Sequence, residues 1–316
     1  MEIEQYAPVV IPTLNRYEHF RRCLESLEKC TWAEKTDVYV GLDYPPSEKY
    51  VEGWKKIDSY LAEKEKRNGF KNLFVLRRNH NLGIGHPGSN GNLLVREVVA
   101  VSDKYIISED DNEFSPNFLE YMNKALEKYK SDDRVIRVSA YTPPLFYNLT
   151  NSTTFFGIDT PAFGLGSWHH KNEKIVDYKE IDKALRSSFM RTWKLFWTYP
   201  ALIRLVVVMI RRKKDYGDVC YTMNNLIRGT FTLEPSRSLS RNWGADGTGQ
   251  NCGIIKGLEK EEILTDNHFE MSDILFEYPK KLKRRLFYRN MPKSKISFVV
   301  RLIYYFITTM KYYFFG

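Results

Sequence analysis

In the stretch YIISEDDNEF, residues 105–114, a short apolar run ends in three consecutive acids. Glu109, Asp110 and Asp111 repel one another, and burial without a compensating charge would raise their pKa values. A positive partner is therefore expected close by. Carboxylates at a strand end suit a hard divalent cation, Mg²⁺ or Mn²⁺, held by one or two carboxylates together with substrate phosphates. Glu109 or Asp110 can instead accept hydrogen bonds from sugar hydroxyls. The plain alternative is a solvated turn paired with a nearby Arg or Lys.

The elements around the acids narrow the choice. PVVIP (8–12) reads as a buried strand. The segment after it sets Phe20, Cys23, Leu24 and Leu27 at helical spacing, with Asn15 as the expected cap and Glu18 three residues on. Further strands are expected at 37–43, 72–78, 104–108 and 134–141. VEGWKKIDSYLAEKEK and GNLLVREVVAVS read as the intervening helices. Ser115 and Pro116 look like the cap and first residue of a helix that lines up Phe118, Met122, Ala125 and Tyr129. Such alternation implies an α/β fold with a mainly parallel sheet and helices on both faces. Ligands bind such a sheet at the carboxyl ends of its strands. Those ends carry Thr13, Asn15 and Arg16, then Asp43, then Arg77 to Asn81 with His80, then the acid run. All four are polar and are expected to face one crevice.

GIGHPG satisfies GxGxxG through Gly83, Gly85 and Gly88. A dinucleotide fold places that motif after the first strand, whereas here it follows the third, so a dehydrogenase is disfavoured. The 316 residues are 43% hydrophobic and 28% charged, enough for a packed core. Net charge is +9, which points to nucleic acid, anionic lipid or a phosphorylated substrate. No aromatic-plus-basic nucleic-acid module accompanies that charge, so nucleic acid is not expected. The four cysteines form no CxxC pair, and Cys23 and Cys30 are separated by ~10 Å of helical rise, too far for a disulfide. Free thiols and a start without a basic-then-apolar leader suggest a reducing compartment, and the two Asn-x-Thr sequons at Asn148 and Asn151 then carry little weight.

Residues 1–141 are expected to form the nucleotide-binding half of the domain and 142–278 its acceptor-binding half, followed by a basic tail at 279–316. The segments VVIPTLNRYEHFRRCLESL, VGLD, NLGIGHPGSNGN and IISEDDNEFSPNFLEYM, in that order, resemble the GT-A glycosyltransferases. EDDNEFSPNFLEYM and FGLGSW are also similar to the N-acetylglucosaminyltransferase family that initiates complex N-glycans. The resemblance covers roughly residues 7 to 250 and implies a metal-dependent transfer from a nucleotide sugar, UDP-linked in preference, to a glycan or lipid-linked saccharide. It implies Asp111 as the Mn²⁺ ligand, Glu109 and Asp110 on ribose and donor sugar, and Arg16 and Asp43 on the nucleotide, with Asp43 on the base. His80 and Asn81 would close over base and ribose, and His268 would be a late metal ligand. Glu-Asp-Asp replaces the family's Asp-x-Asp, which leaves the role of Glu109 open. An inverting enzyme also needs a base for the acceptor hydroxyl. Asp218, Asp215, Asp159 and Asp246 are candidates, and Asp218 stands at about the family's distance from GLGSW. The glycine-rich loop NWGADGTGQNCG is expected to close over a diphosphate.

KKLKRR (280–285) and the apolar, Tyr- and Phe-rich run from 296 suit a helix lying in a membrane interface, and 195–214 repeats the apolar-then-basic pattern as one buried or membrane-dipping helix. A peripheral enzyme at the inner face of a cell membrane, working in surface-polysaccharide assembly, accommodates these features. The competing readings are a sugar-phosphate nucleotidyltransferase, disfavoured by the lack of glycine after the first strand, and a non-catalytic membrane-bound scaffold that keeps only nucleotide-sugar binding.

Overall fold

The computed structural model describes residues 3–147, 149, 152–159, 163–249, 253–254, 261–265, 271 and 280–315. Its strands are β1 (Val9–Thr13), β2 (Asp37–Leu42), β3 (Asn72–Arg77), β4 (Lys104–Ile107), β5 (Asn112–Phe114), β6 (Val135–Ser139), β7 (Thr154–Gly157), β8 (Leu165–Trp168), β9 (Phe231–Pro235) and β10 (Ser240–Asn242). The helices are α1 (Tyr17–Glu28), α2 (Val51–Lys66), α3 (Asn90–Val99), α4 (Phe118–Lys128), α5 (His169–Asn172), α6 (Tyr178–Arg186), α7 (Phe189–Thr198), α8 (Pro200–Arg212), α9 (Gly217–Arg228), α10 (Lys280–Tyr288) and α11 (Lys295–Phe315).

Eight strands form one sheet in the order β3-β2-β1-β4-β8-β6-β9-β7, and β5 and β10 form a separate antiparallel ribbon. The pairs β1–β2, β2–β3, β1–β4 and β6–β9 are parallel; β8 runs antiparallel to β4 and β6, and β7 to β9. This is the expected Rossmann-like, mainly parallel α/β sheet. Successive side chains of a strand face opposite sides, and β1 shows the result. Val9 and Ile11 join a core with Phe20, Leu24 and Leu27 of α1 and Phe118 and Met122 of α4. Val10 joins Tyr105 with Leu94 and Val98 of α3 on the other face. Full burial of each such side chain contributes about 1.5–3 kcal/mol. Gly41 lets α3 approach the sheet closely, since a Cβ there would stand 2.6 Å from Asn90 Oδ1 and Leu94 Cδ1.

Three local expectations need correction. Arg16, not Asn15, is the residue before α1, and it makes no side-chain cap. Helix α4 begins at Phe118 rather than Pro116; the Ser115 hydroxyl accepts from Asn117 N at 3.3 Å and donates to the Leu264 carbonyl at 2.6 Å. The run 195–214 is two helices, not one, broken at Tyr199–Pro200 because proline lacks the N–H that would continue the ladder but suits a first helical turn. Helices α6 to α11 bury a second apolar cluster, which includes Leu195, Phe196, Val206, Val207, Tyr305 and Tyr312. Among the described residues no helix is long and apolar enough to cross a membrane. Cys23, Cys30 and Cys220 are free and buried; Cys252 lies outside the described residues.

The sheet and α4 are joined by one buried ammonium. Lys171 donates to the carbonyls of Tyr129, Asp132 and Val135 at 2.7, 2.9 and 2.9 Å and stands 3.8 Å from the Trp168 ring centroid. Replacing it with methionine keeps the stem but removes all three bonds. Lys171→Met is expected to destabilise the fold by about 2–4 kcal/mol, seen in urea unfolding as a lower midpoint at unchanged slope.

Candidate active site

The chain leaves β1 toward β2 and β3 on one side, and β4 returns on the other side of β1. The β1/β4 boundary is thus the topological switch point, where an open parallel sheet forms its ligand crevice. The acid run emerges there from β4, opposite the end of β1. Thr13 Oγ1 donates to Asp110 Oδ2 at 3.0 Å. Arg16 donates to Asp110 Oδ1 and reaches Asp111 Oδ2 at 2.8 Å. The expected positive partner is therefore Arg16, and both aspartates are nearly buried around it. Burial works against the Arg16 charge, but Asp110 and Asp111 outweigh it and hold the guanidinium above its ordinary value. Burial pushes Asp110 upward, Arg16 opposes, and the charge of Asp111 adds to the rise.

The β5–β10 ribbon lays the glycine-rich loop back across these acids. Asn242 Nδ2 donates to Asp111 Oδ1 at 2.5 Å, and Trp243 N to the Asp111 carbonyl at 2.8 Å. Gly244 then passes so close that a Cβ on it would lie 2.0 Å from Asp111 Oδ2 and 3.2 Å from Arg16 Nη1. That Nη1 is buried with no hydrogen-bond partner. Trp243 Nε1 donates to Glu113 at 2.7 Å, and the Arg22 and Arg241 guanidinium carbons lie 4.2 and 4.6 Å from its ring centroid. Asp246 bonds His19 Nε2 at 2.9 Å and accepts from Thr248 N and Oγ1 at 2.9 and 2.7 Å. Burial opposes its charge, but these Thr248 and His19 bonds hold its carboxyl down to about 2.

Glu109 and Asp218 both reach solvent, although protein packs densely around their carboxyls. Burial pushes the Glu109 carboxyl well above the usual range, followed by the charges of Asp111, Asp218 and Asp110. The sequence-distant Asp218 thus lies near enough to Glu109 for its charge to act on it. Burial raises Asp218 too, and Arg137 of β6 pulls it back. Asp218 sits in the first turn of α9, and Tyr221 shares its face at i+3. Buried Arg137 lies with its guanidinium carbon 3.3 Å from the Tyr221 ring centroid, and its Nε has no hydrogen-bond partner. The Tyr221 hydroxyl donates to Asn172 Oδ1, and Asn172 Nδ2 donates to the Tyr105 hydroxyl of β4. This buried chain ties the start of α9 to the strand that delivers the acids.

The other candidate bases are engaged elsewhere. Asp215 accepts from Tyr178 N at 2.8 Å at the start of α6, Asp159 pairs with Arg289, and Asp246 is the turn just described. Asp218 has no hydrogen bond or ion pair among the described residues. Asp43, which the resemblance would place on the base, is engaged by the 79–88 loop. Its oxygens accept from Tyr44 N, Leu82 N, Gly83 N and Asn81 Nδ2 at 2.9, 2.8, 2.9 and 3.3 Å. It therefore shapes the 79–88 loop, with Gly83 and Gly85 at φ 62° and 73°, rather than offering a free carboxylate to a base. Asn81 also donates to the Tyr44 carbonyl at 2.7 Å. His80 is exposed and bonds Asn79. Asn15 is half-exposed, with its carbonyl under Gly53 of α2. His268 lies outside the described residues. Sequence reasoning missed Asn242 and Arg137; the signal for Arg137 was a cation inside the otherwise apolar strand RVIRVS.

Among the described residues no three His, Cys, Asp or Glu side chains converge as a closed metal cage. Glu109, however, is a carboxylate without a partner among the described residues, and each Asp111 oxygen keeps a second lone pair. That donor set fits a hard ion that takes one or two carboxylates and completes its shell with water and substrate oxygens.

No protein-family model matches the chain, and no curated protein matches its sequence. Among solved structures, partial and distant likenesses are found. TarS of S. aureus is 17% identical over 56% of this chain and 31% of that one, with a TM-score of 0.38. The mannosyltransferase PcManGT of Pyrobaculum calidifontis, in complex with GDP-Man and Mn²⁺, is 15% identical over 73% of this chain and 54% of that one, at 0.43. The glycosyltransferase GlyE of Streptococcus pneumoniae is 12% identical over 73% and 45%, at 0.37. The chain thus spans between 31% and 54% of the length of these proteins. A likeness this distant concerns the fold alone, and the crevice described above stands on its own strand order.

Asp43→Ala would leave the Leu82 and Gly83 amides without their acceptor. The expected cost is about 2–3 kcal/mol, with hydrogen exchange accelerated at 79–88 ahead of the rest of the sheet.

Proposed function

We propose that the chain is a metal-dependent glycosyltransferase that moves a sugar from a nucleoside-diphosphate sugar, UDP-linked in preference, to a saccharide or lipid-linked saccharide acceptor. Inversion at the anomeric carbon and a place in surface-polysaccharide assembly belong to the same reading. One observation carries it: at the switch point of the sheet the run Glu109–Asp111 leaves β4 around Arg16, and Asp218 of α9 lies near enough to Glu109 for its charge to act on that carboxyl. A single exposed base near an acid-and-arginine diphosphate seat is what displacement at a sugar carbon requires.

Each residue has a task in this reading. Glu109 and Asp111 would hold a Mn²⁺ or Mg²⁺ ion, which supplies positive charge for the departing diphosphate. Arg16 offsets the negative charge of Asp110 and Asp111, and its Nη1 beneath Gly244 would be the donor to a phosphate oxygen. The loop 243–249, pinned by Trp243 and by the His19–Asp246 bond, excludes water from that seat. Asp218 takes the acceptor hydroxyl proton as the oxygen attacks. Arg137 favours the charged carboxylate of Asp218, while burial leaves it basic enough for the work.

The first test is nucleotide release from UDP-, GDP- and CMP-sugars, with and without Mn²⁺, beside Asp111→Ala. Slow Mn²⁺-dependent hydrolysis of one donor, lost in the variant, is expected; if calorimetry with metal detects no donor binding at all, the reading fails. Asp218→Asn should cut transfer by about 10²–10⁴-fold while donor binding stays. Because the base must be deprotonated, kcat/KM should fall on the acid side. With Asp218 raised, that limb lies above the ordinary carboxylate range, and Arg137→Gln should move it to still higher pH.

A further inference from the structure

Charge is divided unevenly along this chain. Residues 183–214 and 279–316 hold 19 of the 48 Lys and Arg and none of the 39 Asp and Glu. The remainder then has 29 basic against 39 acidic residues, a net −10, although the whole chain is +9. The fold brings the two basic segments together. Helix α11 packs on α7 and α8 through Tyr305, Thr309 and Tyr312. Phe306 meets Trp193 and Phe196, Tyr313 and Phe314 meet Phe189, and Phe287 stacks on Trp197.

Helix α11 is apolar on both sides, and only one side is covered. Its outer stripe runs through Ile296, Val300, Ile303, Ile307 and Phe314, between 44% and 78% exposed. The spacing of four, three, four and seven keeps this stripe on one helical face. On neighbouring α7, Met190 and Trp197 are 69% and 52% exposed. The two outer faces adjoin through the ring contacts above. Helix α11 has 21 residues, ~31 Å of length, but no described helix meets the requirements of a membrane span.

We propose that α7, α8, α10 and α11 form a single docking face that lies in the plane of an anionic phospholipid surface, with the outer stripe of α11 and Trp197 of α7 at acyl-chain depth. Lys281, Lys283 and Arg284 on α10 and Lys293 and Lys295 before the α11 stripe are exposed beside it, at the height of lipid phosphates. Charge selects this occupant over a second copy of the chain. Two such faces pressed together would set Lys281, Lys283, Arg284, Lys293 and Lys295 of one copy against the same five cations of the other, whereas an anionic bilayer complements both the charge and the apolar stripe. The proposal goes beyond the transferase reading and needs no turnover, so the two stand or fall separately.

The experiment is co-sedimentation of the full chain with phosphatidylcholine vesicles, pure or with about a third phosphatidylglycerol. Binding to the anionic vesicles should be about tenfold or more tighter and should weaken in high salt. Val300→Glu with Ile303→Glu, both at exposed positions, should abolish it with circular dichroism and melting unchanged. Lys281→Gln with Lys283→Gln and Arg284→Gln should remove the preference for anionic lipid. A blue shift of tryptophan emission on vesicle binding, reduced in Trp197→Phe, places α7 in the same interface. Failure of the folded wild-type chain to bind the anionic vesicles, or equal binding to both compositions, would overturn the proposal. So would a dimer in sedimentation velocity that the double glutamate variant dissolves while lipid binding persists.

Discussion

Arg16 between Asp110 and Asp111 is the interaction on which the rest of the crevice depends. Three adjacent carboxylates at the end of a buried strand are tolerable only where a cation is fixed beside them. The sheet supplies one by making β4 the parallel neighbour of β1 and by starting α1 immediately after it. A buried ion pair gains little unless its remaining lone pairs are satisfied. Here Thr13 and Asn242 take oxygens that Arg16 does not reach. The geometry of three elements, β1, β4 and the ribbon β5–β10, is therefore set by one charge-compensation problem.

The cleft around that pair is built from restraints rather than from a single rigid wall. Asp43 gathers the amides of the 79–88 loop, and Trp243 and Asp246 hold the 243–249 loop onto α1. Gly244 marks the closest approach, where any side chain would collide with Asp111. Opposite, the buried chain from Tyr105 through Asn172 to Tyr221 fixes where α9 begins, and so where Asp218 stands. Polar networks of this kind hold position only when their members are satisfied. Arg137, whose Nε has no hydrogen-bond partner among the described residues, is the member whose charge acts on Asp218.

Helix α9 also belongs to the helical layer. Val219, Cys220 and Met223 sit in the same apolar cluster as α7, α8 and α11. The layer whose outer face is basic and apolar therefore carries Asp218 on its inner side, and the acids of β4 belong to the oppositely charged body. This economy follows from one packing arrangement, not from separate modules.

The sequence alone determined the period-two and period-3.6 patterns, and with them the strands and helices of the first half. It also determined which polar residues end those strands, because a buried parallel sheet places its polar residues where the apolar run stops. Thr13, Arg16 and the acid run were legible for that reason. Cap positions were not, since Asn15 and Ser115 had the right chemistry but their backbone was set by contacts elsewhere. Nor could sequence reveal that Asp43 accepts from amides about forty residues away, or that Asp215 and Asp159 have partners while Asp218 has none among the described residues. Hydrogen-bond occupancy is a property of distances between segments far apart in the chain. Only the tertiary structure decided that Asp218 comes near enough to Glu109 for their charges to interact, and that two basic segments, distant in sequence, pack together.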